Sequence, residues 1–416
     1  MKTICTNFIF ISFLILPIYF LQAQNNTCAN EQFQTIQLQN PEFRQQVESI
    51  INSNQATNKT TEDVLVIPIA VHVLHLGEDS GVGSNIPDLQ IQEAVEKANS
   101  LWRNTFVTEN SLSNDIKVEF CLAQYDPHGN PSTGIVRADA SSIPRYAETG
   151  IGYIEAVLQG IFGSDETQTK GFSDWDHNYV LNIWVVHKIA GGWGGYAFFP
   201  FGNNYPTDGV VITANSMNKN STTLAHELGH AMGLFHTFQG AENGCPANDL
   251  CFIQGDWICD TPPHRRSDCN NSNCNNSPDS ILSFKNLMSY CSNRYIFTKD
   301  QKDRIRNTIF NSSRKALLQS TACTGVISGI TKNINHNFSI YPNPASTGFT
   351  ISNRMNKNLP FEIEIRNSLG QTLFSKKLNS GNEQYISFDN KIEKGFYLVL
   401  IKNEDKVIDT QTLIIQ

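Results

Sequence analysis

The chain has 416 residues, of which 40% are hydrophobic and 17% are charged, so its composition is that of a globular protein rather than a disordered or fibrous one. This length exceeds one ordinary core and favours two folded domains with short processing segments. The formal net charge of -8 and the absence of a Lys/Arg cluster exclude nucleic acid as an expected partner, because nucleic-acid affinity rests on neutralising phosphates.

The first residues have the plan of a secretory signal peptide. Lys2 precedes an apolar stretch that is interrupted by Pro17 and ends at Ala23. We expect residues 1–23 to be removed, and residues 24–62, which are rich in polar residues around a helix-like PEFRQQVESIINS, to form a pro-segment. No later segment approaches the roughly 20 apolar residues that span a bilayer, so we expect no transmembrane segment in the mature chain.

Strand and helix patterns alternate after the pro-segment. VLVIPIAVHVLHL predicts a buried strand, and IPDLQIQEAVEKANSLWRNTF predicts an amphipathic helix. IKVEFCLAQYD and YVLNIWVVHKI predict two further strands, with a helix near IGYIEAVLQGIF between them. His72, His75 and His187 fall within the strand patterns, where packing is a commoner role than metal binding. The segment is therefore expected to fold as an α/β (α+β) domain.

Cysteines are concentrated in one part of the chain. Six lie between residues 245 and 291, which in an exported chain predicts disulfides in a loop-rich subdomain with little core of its own. The count outside the signal segment is odd, so one thiol is left over. The nine cysteines outside the signal segment are Cys28, Cys121, Cys245, Cys251, Cys259, Cys269, Cys274, Cys291 and Cys323.

The segment TTLAHELGHAMGLFH predicts a helix with one buried face and a zinc-binding pair of histidines. His226 and His230 are four residues apart, which places both imidazoles on one side of a helix, about 6 Å apart at the backbone. Glu227 follows the first of them and leans beside the metal rather than onto it. Its carboxylate is therefore the expected general base for a zinc-activated water.

A glycine and a third histidine complete this pattern. Gly233 can adopt the left-handed conformation that ends a helix, after which His236 can reach back to the metal as a third ligand. Three nitrogens leave a fourth position open, as in catalytic rather than structural zinc sites. The alternative is a core helix whose histidines are merely buried, because the short HExxH pattern also arises by chance.

HELGHAMGLFH resembles the extended zinc signature of the metzincin clan of peptidases, and NLMSY at residues 286–290 resembles the methionine turn that follows it in that clan. The resemblance implies a metzincin-like catalytic domain. It also implies that Met288 forms an apolar floor under the zinc ligands and that Tyr290 stabilises the oxyanion. The alternative for Met288 is ordinary core filling.

Within the clan, residues 64 to about 310 resemble the pappalysin family. The resemblance is carried by IPIAVHVL, DPHGNPSTGIVR, YVLNIWVV, GGYAFFPF, TDGVVI, GDWICDTP and FTKDQKDRIR. It implies that a substrate-binding edge strand, which pairs with an antiparallel substrate strand, is formed by Gly194, Gly195, Tyr196, Ala197 and Phe198. It also implies a structural calcium ion on Asp256, Asp260 and Thr261, for which turn formation is the alternative role.

The loop after the methionine turn departs from the family pattern. Cys291 follows Tyr290 directly, and CSNRYIF supplies Arg294 where relatives that cleave beside arginine carry an acidic residue in the S1′ loop. The arginine preference of those relatives is therefore not implied for this chain. The resemblance also implies the disulfides Cys245–Cys274 and Cys269–Cys291, to which Cys251 and Cys259 are additional.

Cys28 lies in the expected pro-segment, and a thiolate is a good fourth ligand for zinc. One hypothesis is a latency switch in which Cys28 occupies the open position of the metal. The alternative is a disulfide, for example with Cys323.

Seven short alternating runs after residue 321 predict a small all-β sandwich. YPNPA, LGQ and KGFYLV in this region resemble the C-terminal sorting domain of the Bacteroidetes type IX secretion system. The resemblance implies export through the periplasm, outer-membrane passage by that machinery and release or surface attachment of the protein. A carbohydrate-binding or adhesion sandwich is the structural alternative.

We therefore expect a catalytic domain at residues 63–323, a linker at 324–336 and a sorting domain at 337–416. The expected function is a secreted zinc endopeptidase acting on proteins or peptides. A non-catalytic surface adhesin or zinc-binding module of the same fold, and a zinc amidohydrolase, are the alternatives. Retention of Glu227 favours the enzyme, because loss of activity would most simply remove that residue.

Overall fold

The computed structural model divides into two compact units, Met1–Val326 and Ile327–Gln416. The expected signal peptide, residues 325–336 of the expected linker, and residues 154–156 and 158–159 of the helix predicted near IGYIEAVLQGIF lie outside the described residues. The structure describes residues 28, 38–51, 63–105, 112–153, 157, 160–201, 207–241, 244–267, 269, 274, 279–324, 338–343, 345–353, 360–367, 371–378, 383–388, 392, 394–403 and 406–415.

The first unit is built on a six-stranded mixed sheet. The strand order is β2-β1-β4-β6-β5, and β3 pairs with the second half of β1 beyond the end of β2. All pairs are parallel except β5 with β6, which is antiparallel and leaves β5 at the edge. The strands are β1 Leu65–His75, β2 Val118–Leu122, β3 Ile135–Asp139, β4 Leu181–Val186, β5 Gly195–Ala197 and β6 Val210–Thr213.

Both faces of this sheet are covered, which explains why its first strand reads as an almost continuous apolar run. All residues from Ile67 to Leu74 in β1 are buried, as expected for a parallel strand between two layers. The helices of the unit are α1 Pro41–Ile51, α2 Asp88–Trp102, α3 Tyr146–Thr149, α4 Glu166–Lys170, α5 Thr223–Ala231, α6 Ile281–Phe284 and α7 Lys299–Asn311, followed by a 3₁₀ helix at Ser313–Gln319.

Helix α5 is buried along its whole length and is fixed at two points. The indole of Trp102 in α2 donates a hydrogen bond to the carbonyl of Ala225. At the other end, Arg314 donates through Nε to the carbonyl of Ala231 and forms a bidentate ion pair with Asp208, with N–O distances of 2.5 and 2.6 Å. A cation at the C-terminal carbonyls of a helix is stabilising, so this pair positions the end of the helix.

Disulfides hold the loop-rich part of the first unit. The structure contains Cys245–Cys274 and Cys269–Cys291, the two pairs that the family resemblance implies, together with Cys251–Cys259. A fourth bridge, Cys121–Cys323, joins β2 to the end of the unit across 202 residues. Cys28 keeps a thiol, and its alternative partner Cys323 is bonded to Cys121.

The second unit is a small antiparallel β-sandwich. A four-stranded sheet, β10-β9-β12-β13, and a three-stranded sheet, β11-β8-β7, share one apolar core. The seven strands coincide with the seven alternating runs of the sequence. They are β7 Phe338–Tyr341, β8 Gly348–Asn353, β9 Phe361–Arg366, β10 Thr372–Leu378, β11 Glu383–Ser387, β12 Gly395–Asn403 and β13 Lys406–Ile415.

The predicted fold class is confirmed: a mixed α/β unit with a buried histidine helix and a disulfide-rich subdomain precedes an all-β unit. None of the helices that the structure describes is long and apolar enough to cross a bilayer.

Candidate active site

Three histidines from α5 and the turn after it converge on one point. The distances between their Nε2 atoms are 3.2 Å for His226 and His230, 3.1 Å for His230 and His236, and 3.3 Å for His226 and His236. All three side chains are buried. The structure thus brings together the three residues that sequence spacing singled out.

The other ring nitrogens show which tautomer the site requires. His226 Nδ1 lies 2.6 Å from the carbonyl of Leu287, and His230 Nδ1 lies 2.7 Å from the carbonyl of Leu234. A carbonyl only accepts, so each Nδ1 carries the proton and each Nε2 presents a lone pair. Burial lowers the pKa of His230 to about 4 and lowers the pKa of His226 and of His236 well below the usual value, which keeps the imidazoles neutral.

This donor set fits a zinc ion. Two neutral imidazoles whose lone pairs face each other at about 3 Å repel unless a cation lies between them. Tetrahedral zinc with bonds of about 2.0–2.1 Å to nitrogen places its ligand atoms roughly 3.3 Å apart, close to the separations observed here. The residues present therefore match the metal that the histidine pattern predicts.

The methionine turn lies against the middle of the histidine helix. Met288 is fully buried, and a Cβ added to Gly229, between His226 and His230, would lie 2.4 Å from the Met288 sulfur. Asn286 holds the turn by accepting from the Met288 amide at 2.9 Å. Because the adjacent Leu287 carbonyl accepts from His226, the turn also orients a histidine ring.

Gly233 has a φ of +90° directly after the helix, as expected from its place in the sequence. A Cβ there would lie 2.7 Å from Thr308 Oγ1 and 3.0 Å from the ring of Phe201. Gly81 is a matched control, since its φ is +91° and a Cβ there would meet no described atom within 4 Å.

We predict that Gly233→Ala is more destabilising than Gly81→Ala. Both substitutions impose left-handed strain of about 1 kcal/mol. Only Gly233→Ala adds overpacking, which costs about 1–3 kcal/mol. Denaturant unfolding of the two variants measures the difference, and equal losses would show that the close contacts at Gly233 do not matter.

Glu227 is a fully buried carboxylate beside the three imidazoles. Its Oε2 accepts from the Cys28 thiol at 3.3 Å, and its Oε1 has no hydrogen-bond partner among the described residues. Burial raises the pKa of Glu227 to about 8, although the Cys28 hydrogen bond and the charge of Arg294 act in the opposite direction. A desolvated carboxylate of this kind is a strong proton acceptor once it is ionised.

Cys28 lies at the same point as the histidines. Its sulfur and the ligand atoms of His226, His230 and His236 all lie within 4.8 Å of one another, and this is the one such group of potential metal ligands among the described residues. The Tyr290 hydroxyl donates to the Cys28 carbonyl at 2.8 Å. The backbone of Cys28 also forms a parallel bridge with Gly195. Cys28 therefore lies both at the histidine cluster and at the sheet edge.

The edge strand β5 lies directly over Glu227. A Cβ on Gly195 would lie 2.9 Å from Glu227 Oε1, so the absence of a side chain permits this approach. One side of β5 pairs with β6, and at Gly195 its other side pairs with Cys28. Gly194 accepts a hydrogen bond from the Thr213 amide, which extends the pairing by one residue.

A buried charged network that the sequence patterns did not reveal supports β5. Lys170 is fully buried, with Nζ 2.7 Å from a Glu166 oxygen and about 5 Å or less from the ring centres of Trp184, Tyr196 and Phe198. The Tyr196 hydroxyl donates to the same Glu166 oxygen at 2.7 Å. Glu166 and Lys170 are four residues apart on α4, but their contacts with Trp184 and Tyr196 arise only when α4 packs against the sheet, so sequence spacing gave no signal of them.

The residues expected to hold calcium make contacts among themselves. Thr261 donates to Asp256 Oδ2 at 2.7 Å, and the Ile258 amide donates to Asp256 Oδ1 at 3.1 Å. Asp260 accepts from the Asp300 amide at 2.9 Å. These are contacts of a well-formed turn, and the calcium site stays a prediction.

Comparison with known proteins agrees with this geometry. Residues 166–310 match the model of peptidase family M43, described as pregnancy-associated plasma protein-A, and residues 339–416 match a secretion system C-terminal sorting domain. An extracellular metalloprotease of Arthroderma otae is 27% identical over 271 residues, which cover 60% of this chain and 80% of the relative. Another, from Coccidioides posadasii, is 34% identical over 178 residues, which cover 39% of this chain and 54% of the relative.

A solved structure of a promirolysin mutant from Tannerella forsythia superposes with a TM-score of 0.53 at 25% identity, covering 71% of this chain and 97% of the other. Together the matches and the fold define a metalloendopeptidase that is exported from the cell. The chain therefore contains a peptidase domain of the pappalysin type, matched over residues 166–310, and a secretion sorting domain, matched over residues 339–416.

Proposed function

We propose that the protein is the latent form of a secreted zinc endopeptidase in which His226, His230 and His236 bind one zinc ion and Glu227 is the general base. The observation that carries this proposal is the convergence of three Nε2 lone pairs beside a buried carboxylate. A zinc ion bound there supplies a Lewis acid that polarises the scissile carbonyl and makes water acidic enough to attack near neutral pH.

The residues of the chain do the remaining chemistry. Glu227 accepts the proton of the attacking water and returns it to the leaving amine. Tyr290, whose hydroxyl donates to the carbonyl of Cys28, is placed to donate to the carbonyl oxygen of a substrate in the same position. The substrate adds as an antiparallel strand to β5, along Gly194 to Phe198.

Latency follows from the position of Cys28. Its sulfur is close enough to complete a four-ligand site with the three histidines, and its backbone occupies the sheet edge at Gly195. Helix α1 strengthens this arrangement, because Val47 packs into a cluster with Phe199 and Phe235 and the Ile50 carbonyl accepts from Asn307. Removal of the expected pro-segment, residues 24–62, opens both the metal and the edge strand.

The sorting domain accounts for delivery. We assign residues 1–23 to a signal peptide for export to the periplasm, residues 63–323 to the catalytic domain, 324–336 to a linker and 337–416 to the sorting domain. The match of residues 339–416 to sorting domains supports passage by the type IX machinery. The mature enzyme is then released or held at the outer surface.

The metal prediction concerns zinc content. We expect the purified chain to carry about one zinc ion per molecule and His230→Ala to carry much less, because only two imidazoles and the Cys28 sulfur would remain to bind zinc. Plasma emission spectroscopy of the two proteins measures this. His75→Ala is the control, since its imidazole accepts from the Gly77 amide outside the site. Equal zinc in the wild type and His230→Ala would contradict the assignment.

A further inference from the structure

A cavity of about 860 Å³ opens beside the histidine cluster. Its walls include the start of helix α5, at Thr222 and Thr223, and the loop from Tyr290 to Tyr295. Thr223 begins the helix one turn before His226, and Arg294 Nη1 lies 3.2 Å from His226 Nδ1. The cavity is therefore adjacent to the point where peptide bonds are expected to be cleaved.

Strand directions show which side of the scissile bond enters the cavity. Strand β6 ends at Thr213, and the chain continues into Asn215 and residues 218–221, which line the cavity. Strand β5 runs antiparallel to β6, so its beginning, at Gly195, lies on the cavity side. A substrate strand antiparallel to β5 thus runs towards the cavity, and the residue after the scissile bond enters it.

The walls of the cavity are cationic. Lys97, Lys219 and Arg294 line it, and none of the described lining residues is Asp or Glu. Lys219 forms an ion pair with Glu93 at 2.8 Å, whereas the oxygen atoms that Arg294 contacts among the described residues are carbonyl and hydroxyl oxygens, not carboxylates. Arg294 therefore differs from Lys219 in that its charge is not paired directly with a carboxylate of the described residues.

Arg294 is held rigidly and still has donors to offer. Its guanidinium donates to the carbonyls of Leu287 and Ser289 and, at 2.9 Å, to Thr222 Oγ1. These three contacts use three of the five N–H groups of an arginine. A partly buried, preorganised guanidinium with two remaining donors favours a carboxylate over a neutral side chain.

We propose that this cavity receives the substrate residue immediately after the scissile bond and that Arg294 makes it select aspartate or glutamate. The inference rests on the proposed peptidase function. It reverses the charge preference of those relatives that cleave beside arginine.

The test uses the zinc-loaded full chain, incubated until its peptidase activity is constant, and a peptide library that identifies one cleaved sequence. Quenched fluorescent peptides based on that sequence then carry Glu, Gln, Ala or Arg after the scissile bond. We expect kcat/KM for the Glu peptide to exceed that for the Gln peptide by about 10- to 100-fold, because a hydrogen bond to a charged group contributes a free energy that corresponds to this factor. Arg294→Gln should bring this ratio close to 1, and Arg294→Lys should retain part of it.

Arg145→Gln is the matched control, because Arg145 is exposed and does not line the cavity, and it should leave the ratio unchanged. If Arg294→Gln does not fold, the Glu-to-Gln ratio of the wild type still decides. Cleavage of the Gln or Arg peptide as fast as the Glu peptide, in reactions abolished by Glu227→Ala, would overturn the inference and leave the peptidase intact. If no library peptide is cleaved, the peptidase proposal fails and the inference fails with it.

Discussion

Replacing Glu227 by alanine is expected to lower kcat/KM for peptide cleavage by about 10²–10⁴-fold, the usual contribution of a general base. The carboxylate lies beside the converging imidazoles and directly under Gly195 of the edge strand. The group of potential metal ligands among the described residues, which is Cys28 with the three histidines, contains no acidic side chain. The variant therefore has no evident substitute to accept the proton of the attacking water.

Loss of folding should not explain this effect. Glu227 is fully buried with one unsatisfied oxygen, and burying such a group costs free energy, so its removal should leave the free energy of unfolding unchanged or raised. The measurement is steady-state cleavage of a peptide by the processed wild type, Glu227→Ala and an exposed control, Glu148→Ala. Zinc content should be equal in all three, and the free energy of unfolding of Glu227→Ala should be no lower than that of the wild type. Equal cleavage by Glu227→Ala would refute the mechanism.

Replacing Cys28 by alanine is expected to raise the activity of the unprocessed chain by about 10- to 1000-fold. If the sulfur occupies the fourth position of the metal, the latent form is active only in a minor open state of about 0.1–10%. Removing the sulfur frees that position, while the remaining contacts of the pro-segment, such as the packing of Val47, are kept. Activity should consequently stay below that of the fully processed enzyme.

Cys28→Ser is the matched comparison, since a hydroxyl is of similar size but a much poorer zinc ligand than a thiolate. It should also be active before processing. Activity is measured on chains carrying an intact N-terminus, verified by mass spectrometry, so that cleavage of the pro-segment is not mistaken for opening of the site. A Cys28→Ala chain as latent as the wild type would exclude the switch.

The part of the site that sequence could predict is the part encoded by local spacing. His226 and His230 meet because helical residues four apart share a face, and Gly233 allows the turn that returns His236. The seven strands of the second unit likewise follow from alternation with period two. In both cases the residues that reveal the structure lie close together in the sequence.

The remainder depends on residues that are distant in sequence. The Cys121–Cys323 bridge spans 202 residues, and nothing in the spacing of nine cysteines selects that pair. The contact of Tyr290 with the Cys28 carbonyl and the ion pair of Arg314 with Asp208 arise only when the sheet and helices pack together. Arg294 was noted in the sequence, but its place beside His226 required the fold.

Zinc K-edge X-ray absorption on the unprocessed full chain reports which atoms bind the metal. We expect one zinc ion with three imidazole nitrogens at about 2.0–2.1 Å and one sulfur at about 2.3 Å. In Cys28→Ala and in the processed enzyme, the sulfur should be replaced by a light atom while the three nitrogens remain. A chain that binds no zinc, or binds it without the three imidazoles, would rule out the proposed metal site.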